Sequence, residues 1–266
     1  MRDSSHRLVV LDLDGTVLHE DESLSAGVVE SIAAARAAGH EVMIATGRSW
    51  GTTEHIQQSL QMQPDYVVCS NGAVTLARTA DGYGIARVET FDATEVLTML
   101  REHRPDAHYL VELADGRRLF TDHLDGWNIS FGERVPFAEL SAQPVCRVVV
   151  VSPGEDEQDF VDLVSRIGLN EVTYAVGWTA WLDIAPQGVD KGTALERVRT
   201  DLGFEPEQVI VIGDGRNDVG MFRWAARGGG RAVVMAQGAT EAWDASTEST
   251  ASVTEGGVAA ILRSLV

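Results

Sequence analysis

Five short runs of uninterrupted apolar residues punctuate the chain: Leu8-Val9-Val10-Leu11, Val42-Met43-Ile44-Ala45, Tyr66-Val67-Val68-Cys69, Val209-Ile210-Val211-Ile212 and Ala232-Val233-Val234-Met235. They are rich in Val and Ile and do not alternate with polar residues, which predicts strands covered on both faces, hence a parallel sheet between helices. Between the first two runs, Val28, Ile32 and Ala35 share one helical face within residues 25–38, and Gly39 stands where a helix stops. That is a βαβ unit. A second helical pattern follows Asp190-Lys191-Gly192, with Ala194, Leu195, Val198 and Leu202 on one face and Gly203 before the Val209 run.

The middle of the chain has a different rhythm. Strand-like pieces are predicted at 85–91, 107–113, 117–121, 145–151, 172–176 and 181–184, interrupted by helical patterns at 94–103 and 156–167, with Asp115-Gly116 as a hairpin turn. Mixed hairpins and helices predict a separate domain. The expected class is α/β: a doubly wound, Rossmann-like parallel sheet formed by residues 1–78 with 186–266, carrying an inserted α+β domain over 79–185. Arg227-Gly228-Gly229-Gly230-Arg231 reads as a connection.

Composition narrows the range of partners. The 266 residues are 44% hydrophobic and 23% charged, within the globular range, and 21 Lys plus Arg against 40 Asp plus Glu leave a formal charge of −19. Such acidity argues against nucleic acid and anionic membranes, which select positive surfaces. Only Cys69 and Cys146 are present, too few for a disulfide framework, and Asp12 and Asp14 break the first apolar stretch as no secretory leader would tolerate. No run reaches the length of a membrane span. A cytoplasmic protein is expected; its oligomeric state is left open.

The chemistry stands at the ends of the apolar runs. Leu11 is followed by Asp12-Leu13-Asp14-Gly15-Thr16, Ala45 by Thr46-Gly47-Arg48, Cys69 by Ser70-Asn71-Gly72, and Ile212 by Gly213-Asp214-Gly215-Arg216-Asn217-Asp218. In an open parallel sheet, ligands bind beyond the carboxyl ends of the strands, so these segments converge on one crevice. Carboxylates crowded there call for a cation, and a hard, oxygen-ligated Mg²⁺ is the economical answer. Each segment also has a plainer reading taken alone. Asp12 to Thr16 can form an Asx turn, Thr46 can satisfy backbone groups at a strand-to-helix turn, and Asp214 and Asp218 are common turn formers. Lys191 opens a helix, where positive charge is unfavourable, a hint of another use.

In this order, the segments resemble the four motifs of the haloacid dehalogenase-like (HAD) phosphohydrolases. Residues 12–16 are similar to the first motif, Thr46 to the second, Lys191 to the third and 213–218 to the fourth. Ser70-Asn71-Gly72-Ala73, 188–192 and the inserted domain are similar to the Cof-type branch, whose large α+β (C2B-type) cap selects substrate. The resemblance implies hydrolysis of a small phosphomonoester, such as a sugar phosphate, through an aspartyl-phosphate on Asp12. It implies Asp14 as acid and base, Mg²⁺ on the Asp12 carboxylate, the Asp14 backbone carbonyl and Asp214, and phosphoryl binding by Thr46 and Lys191. Gly47, Arg48, Asn71 and Asn217 become candidate substrate contacts, and Asp218 a support for Lys191. The cap aromatics Trp127, Trp178, Trp181, Tyr109, Tyr174 and Phe131 are expected mainly in its core. One departure is visible: the branch commonly carries Met-Gly-Asn-Ala where this chain reads Met235-Ala236-Gln237-Gly238-Ala239.

Two other readings stay open. A phosphomutase on the same scaffold would return the phosphoryl group to a sugar. A phospho-acceptor signalling domain also uses an acidic Mg²⁺ pocket with Thr and Lys, although it lacks the Asp-x-Asp pair and the insertion.

Overall fold

A computed structural model describes residues 3–122, 132–152, 157–167, 172–177 and 181–266. The chain forms two compact units, Met1–Ala86 with Asp190–Val266, and Arg87–Val189. The first begins with β1 (Leu8–Leu11), α1 (Val28–Ala37), β2 (Glu41–Ile44), α2 (Trp50–Ser59), β3 (Tyr66–Cys69), β4 (Val74–Thr79) and β5 (Gly82–Val88). The second holds α3 (Thr94–His103), β6 (His108–Leu113), β7 (Arg118–Phe120), β8 (Gly132–Arg134), β9 (Val145–Val151), α4 (Glu157–Ile167), β10 (Val172–Gly177) and β11 (Trp181–Pro186). The chain then returns to the first unit through α5 (Lys191–Leu202), β12 (Val209–Gly213), α6 (Val219–Arg227), β13 (Arg231–Met235), α7 (Thr240–Ala245), β14 (Glu248–Thr250) and α8 (Gly257–Arg263). The joins fall later than the 78/79 and 185/186 read from sequence, because β5 extends the β3-β4 pairing and β11 runs to Pro186.

In the first unit, five strands form a parallel sheet in the order β14-β13-β12-β1-β2. β1 lies inside it, with Leu8 opposite Val209 on one side and Glu41 on the other. All four β1 residues are fully buried, as expected of strands covered on both faces. Leu195, Val198 and Phe222 pack with Val10, Met43, Val211 and Val234, each such side chain gaining about 1.5–3 kcal/mol from burial. α1 buries Val28, Ile32 and Ala35, and the chain leaves it through Gly39 at φ 94°. β3 runs parallel to the end of β2, as expected, through the Ala45–Val68 bridge, where Thr46 N donates to the Val68 carbonyl at 2.9 Å. Its main pairing, antiparallel to β4 in a three-stranded sheet, was not expected.

The second unit is a six-stranded sheet in the order β10-β11-β9-β6-β7-β8, antiparallel except between β7 and β8. The expected turn at Asp115-Gly116 is present: Gly116, at φ 84°, donates to the Leu113 carbonyl at 2.9 Å. Leu97, Leu100, Phe160 and Leu163 cover one sheet face through Val111, Val148, Val150, Leu182 and Ile184. On the alternate face Arg147 grips Asp183 by two 2.8 Å hydrogen bonds, both residues buried. Tyr109 is core, 5.0 Å from the Phe137 ring, and Trp181 packs against the Leu110, Phe120 and Val149 cluster, whereas Tyr174 is exposed. Trp127, Phe131 and Trp178 lie outside the described residues. No helix among the described residues is long and apolar enough to cross a membrane.

Candidate active site

Every candidate residue named from sequence belongs to the first unit. Asp12 directly follows β1 and continues its pairing, its N–H donating to the Ile212 carbonyl at 3.0 Å. The chain then winds round the Leu13 carbonyl, which accepts from Thr16, Val17 and Leu18 at 3.2, 2.8 and 2.8 Å. Gly15 sits in this turn at φ 73°, and a Cβ there would lie 2.1 Å from Asp214 Oδ2. Only glycine lets the two loops approach so closely.

Asp214 and Asp218 stand on the loop after β12. The Asp218 carboxylate is fully engaged: Oδ2 accepts from the N–H groups of Asp214 and Gly215 at 2.9 Å each, and Oδ1 from Lys191 Nζ at 2.7 Å. Lys191 is the first residue of α5. Asp190 caps that helix, accepting from Thr193 N at 2.8 Å, and so fixes the starting direction of the Lys191 side chain. The ammonium is fully buried and also donates to Asp12 Oδ1 at 2.6 Å. The unfavourable dipole position seen in sequence is offset by these two carboxylates.

The loops after β2 and β3 are laced together. Asn71 N donates to the Thr46 carbonyl at 3.1 Å and Ser70 N to the Arg48 carbonyl at 2.8 Å. Ser70 and Asn71 are consecutive left-handed residues at φ 50° and 52°, a strained conformation held by these bonds. Thr46 is buried and its hydroxyl accepts from Arg48 N at 3.1 Å, the backbone role that its plainer reading expected. Asn217 donates to Asn71 Oδ1 at 3.1 Å, and Gly47 lies against both amides with no room for more than light side-chain contact. Arg48 is engaged by protein carboxylates: it holds Asp14 by both oxygens and Glu22 by one.

Asp12, Asp214 and Asp218 offer carboxylate oxygens within 4.8 Å of one another, all three buried. Three carboxylates and one ammonium leave two negative charges over, so a divalent cation balances the cluster, and an all-oxygen donor set suits a hard ion. Burial, reinforced by repulsion from Asp218, raises the Asp12 carboxyl well above its ordinary range against the pull of Lys191. The same two causes push Asp214 up to about 7. Burial alone would lower Lys191, but Asp12 and Asp218 more than offset it and keep the ammonium charged. The cluster can bind a metal, and Asp12 and Asp214 are its freer ligands because Asp218 already accepts three hydrogen bonds.

Two further residues reach this site, Glu22 without a signal in the sequence and Gln237 with only the departure at 235–239 to mark it. Glu22 meets Arg48 from a polar loop, with its own backbone left-handed at φ 62°. Gln237, in the segment that departs from the branch pattern, donates from Nε2 to the Gly15 carbonyl at 2.5 Å.

Residues 9–262 match the family model described as haloacid dehalogenase-like hydrolase. Relatives include a putative phosphatase, YxeH of Bacillus subtilis, 26% identical with 98% of each chain covered. Another is the 5-amino-6-(5-phospho-D-ribitylamino)uracil phosphatase YitU of B. subtilis, 25% identical over 96% of each chain. The pyridoxal phosphate phosphatase YbhA of Escherichia coli is 25% identical, covering 84% of this chain and 86% of its own. Among solved structures, a haloacid dehalogenase-like hydrolase from B. subtilis superposes with a TM-score of 0.82 at 20% identity, covering 98% of this chain and all of its own. The HAD subclass IIB sugar phosphatase BT4131 does so with a TM-score of 0.80 at 19% identity and the same coverage. With a match that spans nearly its whole length, the chain belongs to the haloacid dehalogenase-like hydrolases.

Proposed function

We propose that this protein is a Mg²⁺-dependent phosphatase that hydrolyses a small phosphorylated metabolite, a sugar phosphate or a compound of similar size. The observation that carries this reading is the buried Lys191 ammonium held between Asp12 and Asp218, beside Asp214. A phosphate monoester dianion repels nucleophiles, so its hydrolysis needs fixed positive charge around the phosphoryl oxygens and an attacking atom held in line. The activities of YitU, YbhA and BT4131 support the substrate class.

In this reading the Asp12 carboxylate attacks phosphorus and the ester oxygen leaves, taking a proton from Asp14. The resulting aspartyl-phosphate is cleaved when water, surrendering a proton to Asp14, attacks phosphorus and returns the Asp12 carboxylate with inorganic phosphate. Lys191 and the Thr46 hydroxyl bind equatorial phosphoryl oxygens, where charge spreads in the transition state. Asn71, Asn217, Gly47 and Arg48 line the approach to them. Mg²⁺, held by the Asp12 carboxylate, the Asp14 backbone carbonyl and Asp214, would neutralise charge on the phosphoryl group. We assign substrate selection to the inserted unit, and a reducing, cytoplasmic setting agrees with two buried cysteine thiols.

The test is phosphate release from a panel of sugar phosphates, nucleotides and cofactor phosphates, with Mg²⁺ and with EDTA. Release should require the metal and vanish in Asp12→Asn, whose fold is checked by circular dichroism. Metal-dependent release in Asp12→Asn, or none from any ester with the native chain, rejects the reading. Transfer to a second sugar without net release would instead identify a mutase.

A further inference from the structure

Gln237 follows β13 and its amide reaches two other segments. Nε2 donates to the Gly15 carbonyl at 2.5 Å, at the turn against which the Asp214 carboxylate packs, and Oε1 accepts from Val253 N at 3.1 Å. The amide thus ties two backbone groups together, one through its N–H and one through its carbonyl oxygen. The surrounding backbone is fixed as well: Ala239 N donates to the Asp214 carbonyl at 2.8 Å and Gly238 N to that of Met235 at 2.8 Å.

The turn that Nε2 holds frames the carboxylate cluster. Asp214 is one of its three acids, and Gly15 is the residue whose missing Cβ lets Asp214 approach the Asp12 loop. Repulsion from Asp218 tends to drive the Asp214 carboxylate away, and Thr16 opposes this only through a 3.4 Å contact. The Gln237 oxygen is turned to Val253, so the side chain does not itself offer a ligand atom to a cation. Its contribution is to hold a ligand still.

We propose that Gln237 is a positioning residue of the divalent-cation site, holding the Gly15 turn against which the Asp214 carboxylate packs and thereby setting cation affinity rather than the rate of the chemical step. This rests on the reading of Asp12 and Asp214 as cation ligands. Groups that orient a metal ligand through hydrogen bonds typically contribute about 10–100-fold to metal affinity.

The test compares the full-length native chain with Gln237→Ala and with Gln237→Met, which keeps the length of the side chain but not its hydrogen bonds. Mg²⁺ binding is measured by isothermal titration calorimetry, the Mg²⁺ dependence of p-nitrophenyl phosphate hydrolysis by steady-state kinetics, and folding by thermal unfolding in EDTA. The dissociation constant for Mg²⁺ should rise about 10-fold or more in both variants, with kcat at saturating Mg²⁺ changed by less than about threefold. If either variant fails to fold, Gln237→Asn, an amide one methylene short, carries the same expectation. A folded variant with native Mg²⁺ affinity overturns the proposal, as does one that loses only thermal stability or only kcat. A native chain that fails to bind Mg²⁺ overturns it too. If the native chain binds Mg²⁺ and the variants bind it weakly, but none hydrolyses any phosphomonoester, Gln237 keeps this role and the phosphatase reading falls.

Discussion

Arg48 holds Asp14 in a fork: Nε lies 2.9 Å from Oδ2 and Nη2 2.5 Å from Oδ1, while Nη1 reaches Glu22 Oε1 at 2.6 Å. Burial works to lower the guanidinium's affinity for its proton, but these two carboxylates reverse the effect and raise it. Both Asp14 oxygens already accept hydrogen bonds. In the proposed reaction Arg48 therefore orients the carboxyl assigned to exchange a proton with substrate.

Arg48→Lys tests the fork, because an ammonium keeps the charge but cannot bind a carboxylate bidentately. The expected result is a fall of about tenfold in kcat/KM, equal to about 1.4 kcal/mol of transition-state stabilisation, with little change in unfolding midpoint. The latter follows because Asp14 and Glu22 are about half exposed and exposed pairs contribute little stability. Steady-state kinetics on a phosphomonoester, beside thermal unfolding, decides it.

Lys191→Met removes the one cation among three buried carboxylates. Breaking a buried ion pair from one side typically costs about 3–5 kcal/mol. Urea unfolding in EDTA should show a loss of this order, and added Mg²⁺ should recover part of it by replacing the missing charge. A variant as stable as the native chain in EDTA would mean that Asp12 and Asp218 do not depend on the ammonium.

The pH dependence of stability has a definite sign. Asp214 is pushed up to about 7, whereas an exposed aspartate titrates near 3.9. Between those values the folded chain retains a proton that the unfolded chain has released, so stability falls as pH rises. The contribution is whole below about pH 4 and is lost by about pH 7. Urea midpoints measured in EDTA should therefore decline from pH 5 to pH 8, Asp214→Asn should flatten the decline, and Mg²⁺ should raise the midpoint more at pH 8 than at pH 5.

Gly72→Ala is a local substitution with a distant effect. Gly72 has φ 102°, and a Cβ there would lie 2.2 Å from the carbonyl of Asp190, the cap that aims Lys191. Backbone strain of about 1–3 kcal/mol is expected, and relief of the clash moves the start of α5. Activity should fall further than stability; equal activity with unchanged stability would show that the cap accommodates the methyl group freely.

The strands that position the site are legible because their residues carry their own reason for burial: Leu8 to Leu11 and Val209 to Ile212 admit no solvent face, and polar residues begin where each strand ends. α1, α3 and α5 follow from the spacing of Val28, Val96 and Leu195 with their neighbours. α2 is hidden by Gly, Thr and Gln in its own turns, and β14 by its three residues, Glu248 to Thr250, which strand pairing rather than propensity holds in place. Tyr66 to Cys69 does lie parallel to β2 at the Ala45–Val68 bridge, but its antiparallel partner β4 is not legible, because an apolar run states that it is covered, not which partner covers it. Glu22 and Gln237 are out of reach for a different reason. Their partners, Arg48 and Gly15, are 26 and 222 positions away, and no local pattern encodes such a meeting.

The placement of β1 between β2 and β12 has a consequence for the birth of the chain. Leu8-Val9-Val10-Leu11 acquires one neighbour within a few dozen residues, but its other edge belongs to Val209-Ile210-Val211-Ile212, about 200 residues later. At a translation speed of about 5–20 residues per second, that edge waits on the order of 10–40 s after β1 is made. Through this interval the ribosome carries an apolar strand with an open hydrogen-bonding side, the kind of edge that recruits other chains. The inserted unit is synthesised entirely within the same interval, so its independent compactness limits how much unfolded chain accompanies that open strand until β12 emerges.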